Sequence, residues 1–390
     1  LIVITNFSTG EVNSVHHLND LEELLHHFFH WNRARIRCIV PLIIGMIQLG
    51  TVNLSKIAAT FPGTAQSASH YKRLQRLFRQ FPLDLDQIAR FIAHLIPPLP
   101  FKLTLDRTNW KLGSYNLNFL VLAVVYRGIA FPLLWILLDK KGNSNTSERI
   151  EIMERFLTLF GPQPIACLFA DREFVGVKCF RYLIDHHIDF RIRIKCNSQV
   201  SNSRGALVPV ENLFRGLPRG GYQVLSGKRQ LWGHELHIIG LKMADGELVI
   251  LATQNQPETA LADYKERWQI ETLFGCLKTR GFDLEATHIT DLKRLDKLLA
   301  FLAIAFCWSH VVGEWLHEIK PITLKNHGRP AHSLFRYGFD YLRACLFHHH
   351  ESARQYAFHQ TLEQLFKRLG WRPQKSRFSP TIDSIPLAIY

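Results

Sequence analysis

The chain has 390 residues, of which 47% are hydrophobic, so wholesale disorder is excluded and two or three domains are expected. Lys and Arg outnumber Asp and Glu by 47 to 33, a formal charge of +14 that calls for a polyanionic partner, nucleic acid above all. The 7 cysteines, scattered from Cys38 to Cys345 with no Cys-x-x-Cys pair, exclude a disulfide framework and a structural zinc site and fit the reduced thiols of a cytoplasm.

Residues 1–100 read as helical and form the first expected domain. Apolar residues recur at helical spacing over 18–31, and a second apolar helix spans 35–49, with Pro41 inside it and Gly50 as a stop. Segments 53–61 and 67–78 flank a break at Pro62-Gly63. The second carries Lys72, Arg73, Arg76 and Arg79 beside Leu74, Leu77 and Phe78. Two short helices with the second basic resemble a helix-turn-helix, whose second helix enters a DNA major groove. An ordinary basic, solvated helix is the plain alternative.

The run Pro97-Pro98-Leu99-Pro100 marks a boundary, after which strands dominate. Residues 101–106 form a short apolar strand ending in Asp106, and 117–126 and 128–137 form two more. A helix over 147–160 follows, with Ser147 as its N-cap. Strand 165–169 leads into Asp171, helix 177–186 follows, and 189–195 alternates like a strand. The order is that of an α/β sheet with helices packed on it, spanning 101–196. Residues 197–258, rich in Gly turns and short strands at 222–225, 235–241 and 247–252, read as a β-rich insertion. Long helices are expected at 259–280 and 292–318, completing the core over 259–320. A helical C-terminal region, 321–390, includes a helix near 363–369 and the tract His348-His349-His350. Segments 119–138 and 298–308 are apolar enough to suggest a membrane. Arg127, Gly128 and Pro132 interrupt the first and the second is too short, so both belong to the core and no membrane partner is expected. The N-terminus, which opens on Leu1, has no basic-then-apolar leader pattern.

Two acids stand out because each follows an apolar strand: Asp106, in Asp-Arg-Thr-Asn-Trp, and Asp171, in Asp-Arg-Glu-Phe. Strand ends of open sheets are ligand sites, and like charges on neighbouring strands want a cation between them. Mg²⁺, with its preference for carboxylates, water and phosphate oxygens, suits that arrangement and points to phosphoryl transfer. Structural ion pairing is the alternative for either acid taken alone. In the helix at 259–280, Arg267, Glu271 and Lys278 fall three, seven and fourteen positions after Tyr264. At 100° per residue these four share an arc of about 60°, beside a buried stripe of Ile270, Leu273 and Leu277. An acid flanked by cations on one face suits a metal beside phosphates. An i,i+4 salt bridge between Arg267 and Glu271 on a solvated helix is the bland reading. A histidine-based metal site is excluded, since the pairs among the 20 His lack ligand spacing.

The pattern Tyr264-x-x-Arg267-x-x-x-Glu271 with Lys278, joined to Leu105-Asp-Arg-Thr-Asn-Trp-Lys111 and Ala170-Asp-Arg-Glu-Phe174, resembles the bacterial insertion-sequence transposases that carry a Tyr-Arg-Glu-Lys signature (the IS-four-like family). The three motifs occur in the family's order, 65 and 100 residues apart between acids, and the resemblance covers residues 100–310. It implies a ribonuclease H-like catalytic core with a β-rich insertion between the second Asp and the Glu, behind a helical N-terminal domain. It further implies a triad of Asp106, Asp171 and Glu271 holding two Mg²⁺ ions, with Mn²⁺ able to substitute. The expected partners are the transposon's terminal inverted repeats and a target DNA, bound by a homodimer in a synaptic complex in the bacterial nucleoid. Relatives cut their ends through a hairpin. By the same resemblance Tyr264, Arg267 and Lys278 hold DNA phosphates, and Trp268, with Trp232 as a weaker candidate, stabilises a flipped base; core packing is the alternative for Trp268. Arg172, beside the second acid, and Lys72, Arg73 and Arg76 complete the candidate DNA contacts. The competing expectations are a nuclease that never joins ends and an inactive DNA-binding regulator derived from a transposase.

Overall fold

The computed structural model of the protein describes residues 9–97, 100–112, 115–161, 165–326, 328–347 and 352–373; Pro98, Leu99 and the His348–His350 tract lie outside them. Among the described residues five helices come first: α1 (Thr9–Phe29), α2 (Arg33–Leu49), α3 (Leu54–Ala58), α4 (Ser67–Gln80) and α5 (Leu85–His94). Their boundaries follow local chemistry. Asn32, Asn53 and Asp84 cap α2, α3 and α5 by accepting hydrogen bonds from the first-turn amides, and Gly50 ends α2 in the left-handed region at φ 63°. Pro41 is accommodated inside α2, which is buried over most of its length.

The next three strands, β1 (Phe101–Leu112), β2 (Tyr115–Tyr126) and β3 (Ile129–Leu137), form an antiparallel meander. Helix α6 (Thr146–Phe160) leads to β4 (Ile165–Ala170), which pairs parallel to β1, and α7 (Val177–Asp185) leads to β5 (Phe190–Ile194), parallel to β4. The cap of α6 is Asn145 rather than Ser147. Asn145 accepts from the Glu148 amide while Glu148 reaches back to the Asn145 amide, a closed capping box that satisfies two donors where Ser147 would satisfy one.

The small strands β6 (Gln199–Ser201), β7 (Leu207–Pro209), β8 (Tyr222–Val224) and β9 (Arg229–Leu231) precede a longer hairpin, β10 (His234–Lys242) and β11 (Leu248–Thr253). Strand β11 runs antiparallel to β5, with Ile250 opposite Ile194, so the central sheet reads β3-β2-β1-β4-β5-β11-β10 and continues into the segment after β5.

Residues 259–280 do not form one helix. Helix α8 (Ala260–Tyr264) passes into a 3₁₀ turn, Lys265–Trp268, and then α9 (Gln269–Leu277). The tightened turn advances each residue by about 120° instead of 100°, so the single helical arc expected for Tyr264 to Lys278 does not hold. Lys278 has already left the helix at φ −87°, ψ −115°.

Helix α10 (Leu292–Ile319) runs through the core. It is long and apolar enough to cross a membrane, but 89% of its most apolar window is buried within the protein. Helix α11 (Leu334–Phe347) crosses it at two glycines. A Cβ on Gly313 would stand 1.8 Å from the Leu334 carbonyl oxygen, and one on Gly338 would stand 2.0 Å from that of Ser309. Helix α12 (Ser352–Arg368) closes the described chain.

Candidate active site

Asp106 lies in the middle of β1, not at its end, because β2 pairs with β1 as far as Leu112. On the other side, however, the parallel pairing with β4 stops at Leu105 opposite Ala170. Asp106 and Asp171 are therefore the next residues on two adjacent parallel strands, at the carboxyl ends where open sheets bind ligands.

The segment after α8 packs over this point. Arg267 donates from Nη1 to Asp106 Oδ2 at 3.1 Å and from Nη2 to Glu271 Oε1 at 2.7 Å. The Tyr264 hydroxyl donates to Asp171 Oδ1 at 3.4 Å. Three acids from distant parts of the chain are thus joined through the two residues that open the Tyr264–Lys278 motif. The Arg267 guanidinium is buried, 5.6 Å from the Tyr264 ring centroid and 5.9 Å from that of Trp268, and its Nε finds no hydrogen-bond partner among the described residues. Trp268 is 63% exposed, which removes core packing as its role.

Electrostatics set these groups apart from surface ion pairs. Burial pushes the Asp106 carboxyl up to about 6, against the pull of the Arg107 amide and the Arg267 charge, and the neighbouring Asp171 and Glu271 push the same way as burial. Burial also raises Tyr264, which stays a neutral hydroxyl donor. For Arg267 burial acts to lower the pKa, but Tyr264 and the surrounding acids outweigh it and the group stays charged.

Lys278 sits at the far end of the same surface. Its Nζ donates to the Asn109 carbonyl at 3.0 Å, stands 5.3 Å from the centroid of Trp110 and lies 3.8 Å from Glu285. Burial lowers its pKa and Glu285 opposes that. Arg172 is exposed beside Asp171. On α4, Lys72 and Arg76 are exposed, while Arg73 is half-buried and donates to the Ala34 carbonyl at 3.3 Å. Those three lie on α4, in the helical N-terminal region. A cavity of about 270 Å³ lies between α3, α4 and the segment preceding α10, lined by Ser55, Tyr71, Gln75, Thr287 and Arg294. Trp232 packs edge-on against Phe180 instead, with ring centroids 5.2 Å apart.

Two groups near the acids escape a reading by motif. Burial acts to lower the pKa of Arg193 on β5, but its pairing with Glu247 at 2.5 Å and the charge of Asp171 outweigh it. Alternation along β5 places it on one face with Arg191 and Lys195, a signal present in the sequence. Arg107 and Glu173, each within two residues of an acid, bind one another.

The three carboxylates offer the hard oxygen donors that Mg²⁺ takes, and Asp106, its side chain 17% exposed, shares a single guanidinium with Glu271. Among the described residues no three His, Cys, Asp or Glu side chains stand close enough together to share an ion, because Asp106 and Glu271 meet through Arg267 rather than directly. The donor set fits divalent ions in kind, and Arg267 holds the position between two of its members.

A sequence model described as "Transposase DDE domain" matches residues 102–308, just over half of the 390 residues. The chain belongs to the DDE transposase domain family. The matched span runs from the start of β1 into α10 and includes every residue of the linked acid site. Membership of this transposase family makes the protein a phosphoryl-transfer enzyme acting on DNA. No match to a curated protein was found. A solved structure, the cryo-EM structure of piggyBac transposase in a synaptic complex with hairpin DNA, is similar with 12% identity and a TM-score of 0.46, over 89% of this chain and 78% of that one.

Proposed function

We propose that this transposase moves an insertion sequence by cut-and-paste transposition, with a ribonuclease H-like core and the Tyr-Arg-Glu-Lys signature of bacterial insertion sequences. The observation that carries this reading is the convergence at Arg267, which ties Asp106 to Glu271 across 161 and four positions of sequence, with Tyr264 holding Asp171 alongside. Asp106, Asp171 and Glu271 would hold two Mg²⁺ ions, or Mn²⁺ in their place. Bound there, such ions supply activation of an attacking water or DNA 3′-hydroxyl and stabilisation of the leaving oxygen.

The chain's own side chains do the rest. Arg267 and Lys278 neutralise DNA phosphates near the acids, and Tyr264 donates as a neutral hydroxyl. Trp268, exposed beside Arg267, offers a stacking face to a base turned out of the duplex, as a hairpin intermediate requires. Arg172 extends the phosphate contacts. Lys72, Arg73 and Arg76 on α4 bind the terminal inverted repeats, and two copies of the chain synapse the two ends before joining them to target DNA in the bacterial nucleoid. In functional terms the chain divides into a DNA-reading part, 1–100, a catalytic core of 101–196 and 259–320, an insertion, 197–258, and a C-terminal region, 321–390.

The test is incubation with DNA carrying the element's own inverted repeats and Mg²⁺, read on a denaturing gel, followed by pre-cut ends with a target plasmid. Nicks, hairpins and joined products are expected. Cleavage without joining would make the protein a nuclease, and binding without cleavage would make it a regulator.

A further inference from the structure

Arg107 and Glu173 form a two-pronged ion pair on the face of the sheet opposite the acids. Arg107 Nε donates to Glu173 Oε1 at 2.9 Å and Nη2 to Oε2 at 3.2 Å, with the two side chains 14% and 18% exposed. The third guanidinium nitrogen, Nη1, donates to Asn118 Oδ1 at 3.0 Å, and Nη2 also reaches Asn143 Oδ1 at 3.2 Å. Asn118 in turn holds the Gly142 carbonyl at 2.9 Å, and the Ser144 amide donates to Glu173 at 3.3 Å. Arg149 of α6 completes the set by donating to Ser144 Oγ at 2.9 Å.

Successive residues of a strand point to opposite faces, so Asp106 faces Arg267 while its neighbour Arg107 faces α6. Glu173 is two residues beyond Asp171. The pair therefore fastens the backbone beside one acid to the backbone beside the other, and the Arg107 amide itself donates to Asp106 Oδ1 at 2.7 Å. A bidentate guanidinium–carboxylate pair is geometrically stiff and, partly buried, is stronger than a surface pair.

The geometry points to Arg107 and Glu173 as positioning residues that set the separation of Asp106 and Asp171 and thereby the affinity of the site for divalent ions. This rests on the metal-holding role of the acids proposed above.

The experiment is calorimetric titration of Mn²⁺ into the full chain, with melting temperature measured in parallel. Partners that orient metal-holding groups alter metal affinity by 10- to 100-fold. Glu173→Gln and Arg107→Lys should each weaken Mn²⁺ binding by about 10-fold or more; the lysine keeps the charge but loses the fork. Asp86→Asn is the control. It breaks the Asp86–Arg155 ion pair between α5 and α6, at 2.6 Å, and should lower the melting temperature while leaving Mn²⁺ affinity within about twofold. If Glu173→Gln does not fold, Arg107→Lys decides. Wild-type affinity in a folded Arg107→Lys chain overturns the proposal, and so does an equal loss in Asp86→Asn. Mn²⁺ binding that survives Asp106→Asn unchanged overturns the metal reading itself and the clamp with it, whereas binding that needs Asp106 but not the clamp overturns the clamp alone.

Discussion

Two places in this transposase assemble a carboxylate, arginine and tyrosine at partly or fully buried positions, and they end in opposite states. Around Glu314 on α10, itself 1% exposed, stand His310 Nε2 at 3.1 Å, Arg127 at 3.5 Å, the Tyr126 hydroxyl at 3.3 Å and Arg368 of α12 in direct contact. Burial alone would raise Glu314, but the contact with His310 and the charges of Arg368 and Arg127 hold it below the usual carboxylate range. Around Asp106, one arginine is shared between two acids, a third acid lies close by, and burial wins, taking the carboxyl up to about 6. Surplus positive partners make the first cluster a staple between the β2–β3 turn, α10 and α12. The shortage of them leaves the second short of positive charge, the imbalance on which the metal role proposed above rests.

Removing each acid separates the two clusters most sharply. Asp106→Asn should lower Mg²⁺-dependent nicking by about a thousandfold or more, the scale of losing a principal electrostatic stabiliser, while leaving the fold and end binding intact. A variant that nicks at the normal rate would remove Asp106 from the chemistry. Glu314→Gln should do the reverse. It should cost about 3 kcal/mol of stability in urea unfolding, because buried charges lose their partner, and leave the nicking rate per folded molecule unchanged. An unaltered unfolding midpoint would show that the cluster is no staple.

The two acids should also respond oppositely to pH. The folded chain takes a proton on Asp106 near pH 6, whereas the unfolded chain waits until about 3.8, the ordinary aspartate value, so Asp106 adds stability as the pH falls through 6 and removes it as the pH rises. For Glu314, with its folded value depressed, stability is present above 4.5 and lost as the pH falls through that depressed value. His310, lowered chiefly by burial, acts in the same sense as Glu314, beginning below about 6.5. Relative to Asp106→Asn, the wild-type chain should gain roughly 1 to 2 kcal/mol between pH 7.5 and 5 in metal-free buffer. A difference that does not change with pH would count against the burial argument. The smallest expected effect is that of Lys278→Ala, which should lower the slope of log affinity against log salt by about one unit for end DNA. An unchanged slope would leave Lys278 as a structural contact of Trp110 and Asn109.

Much of this was legible before any fold was known, for reasons that can be named residue by residue. The apolar runs of β1, β2, β3 and β4 and the helical period of α2 and α10 are local signals that survive in the structure, and the motifs around Asp106, Asp171 and Glu271 mark the span that matches the family. The break of the 259–280 segment into α8, a 3₁₀ turn and α9 was not legible. Helical spacing continues through it, and only the need for Tyr264 and Arg267 to reach acids on two strands forces the tighter turn. Nor was the pairing of β11 with β5, which joins residues more than fifty positions apart. The Arg107–Glu173 pair spans 66 positions, and no local pattern distinguishes it from two solvated charges.

Order along the backbone, burial periodicity, net charge and the identity of the acid-bearing motifs are short-range or additive properties, and the amino-acid sequence settled them for this protein. Which partner each buried charge receives is not additive. It depends on strand register at Leu105 and Ala170, on the angle of one 3₁₀ turn, and on two glycines that let α11 lie against α10. Those choices were made by tertiary packing, because a charge in a low-dielectric interior is governed by neighbours a few ångströms away in space rather than by those beside it in the chain.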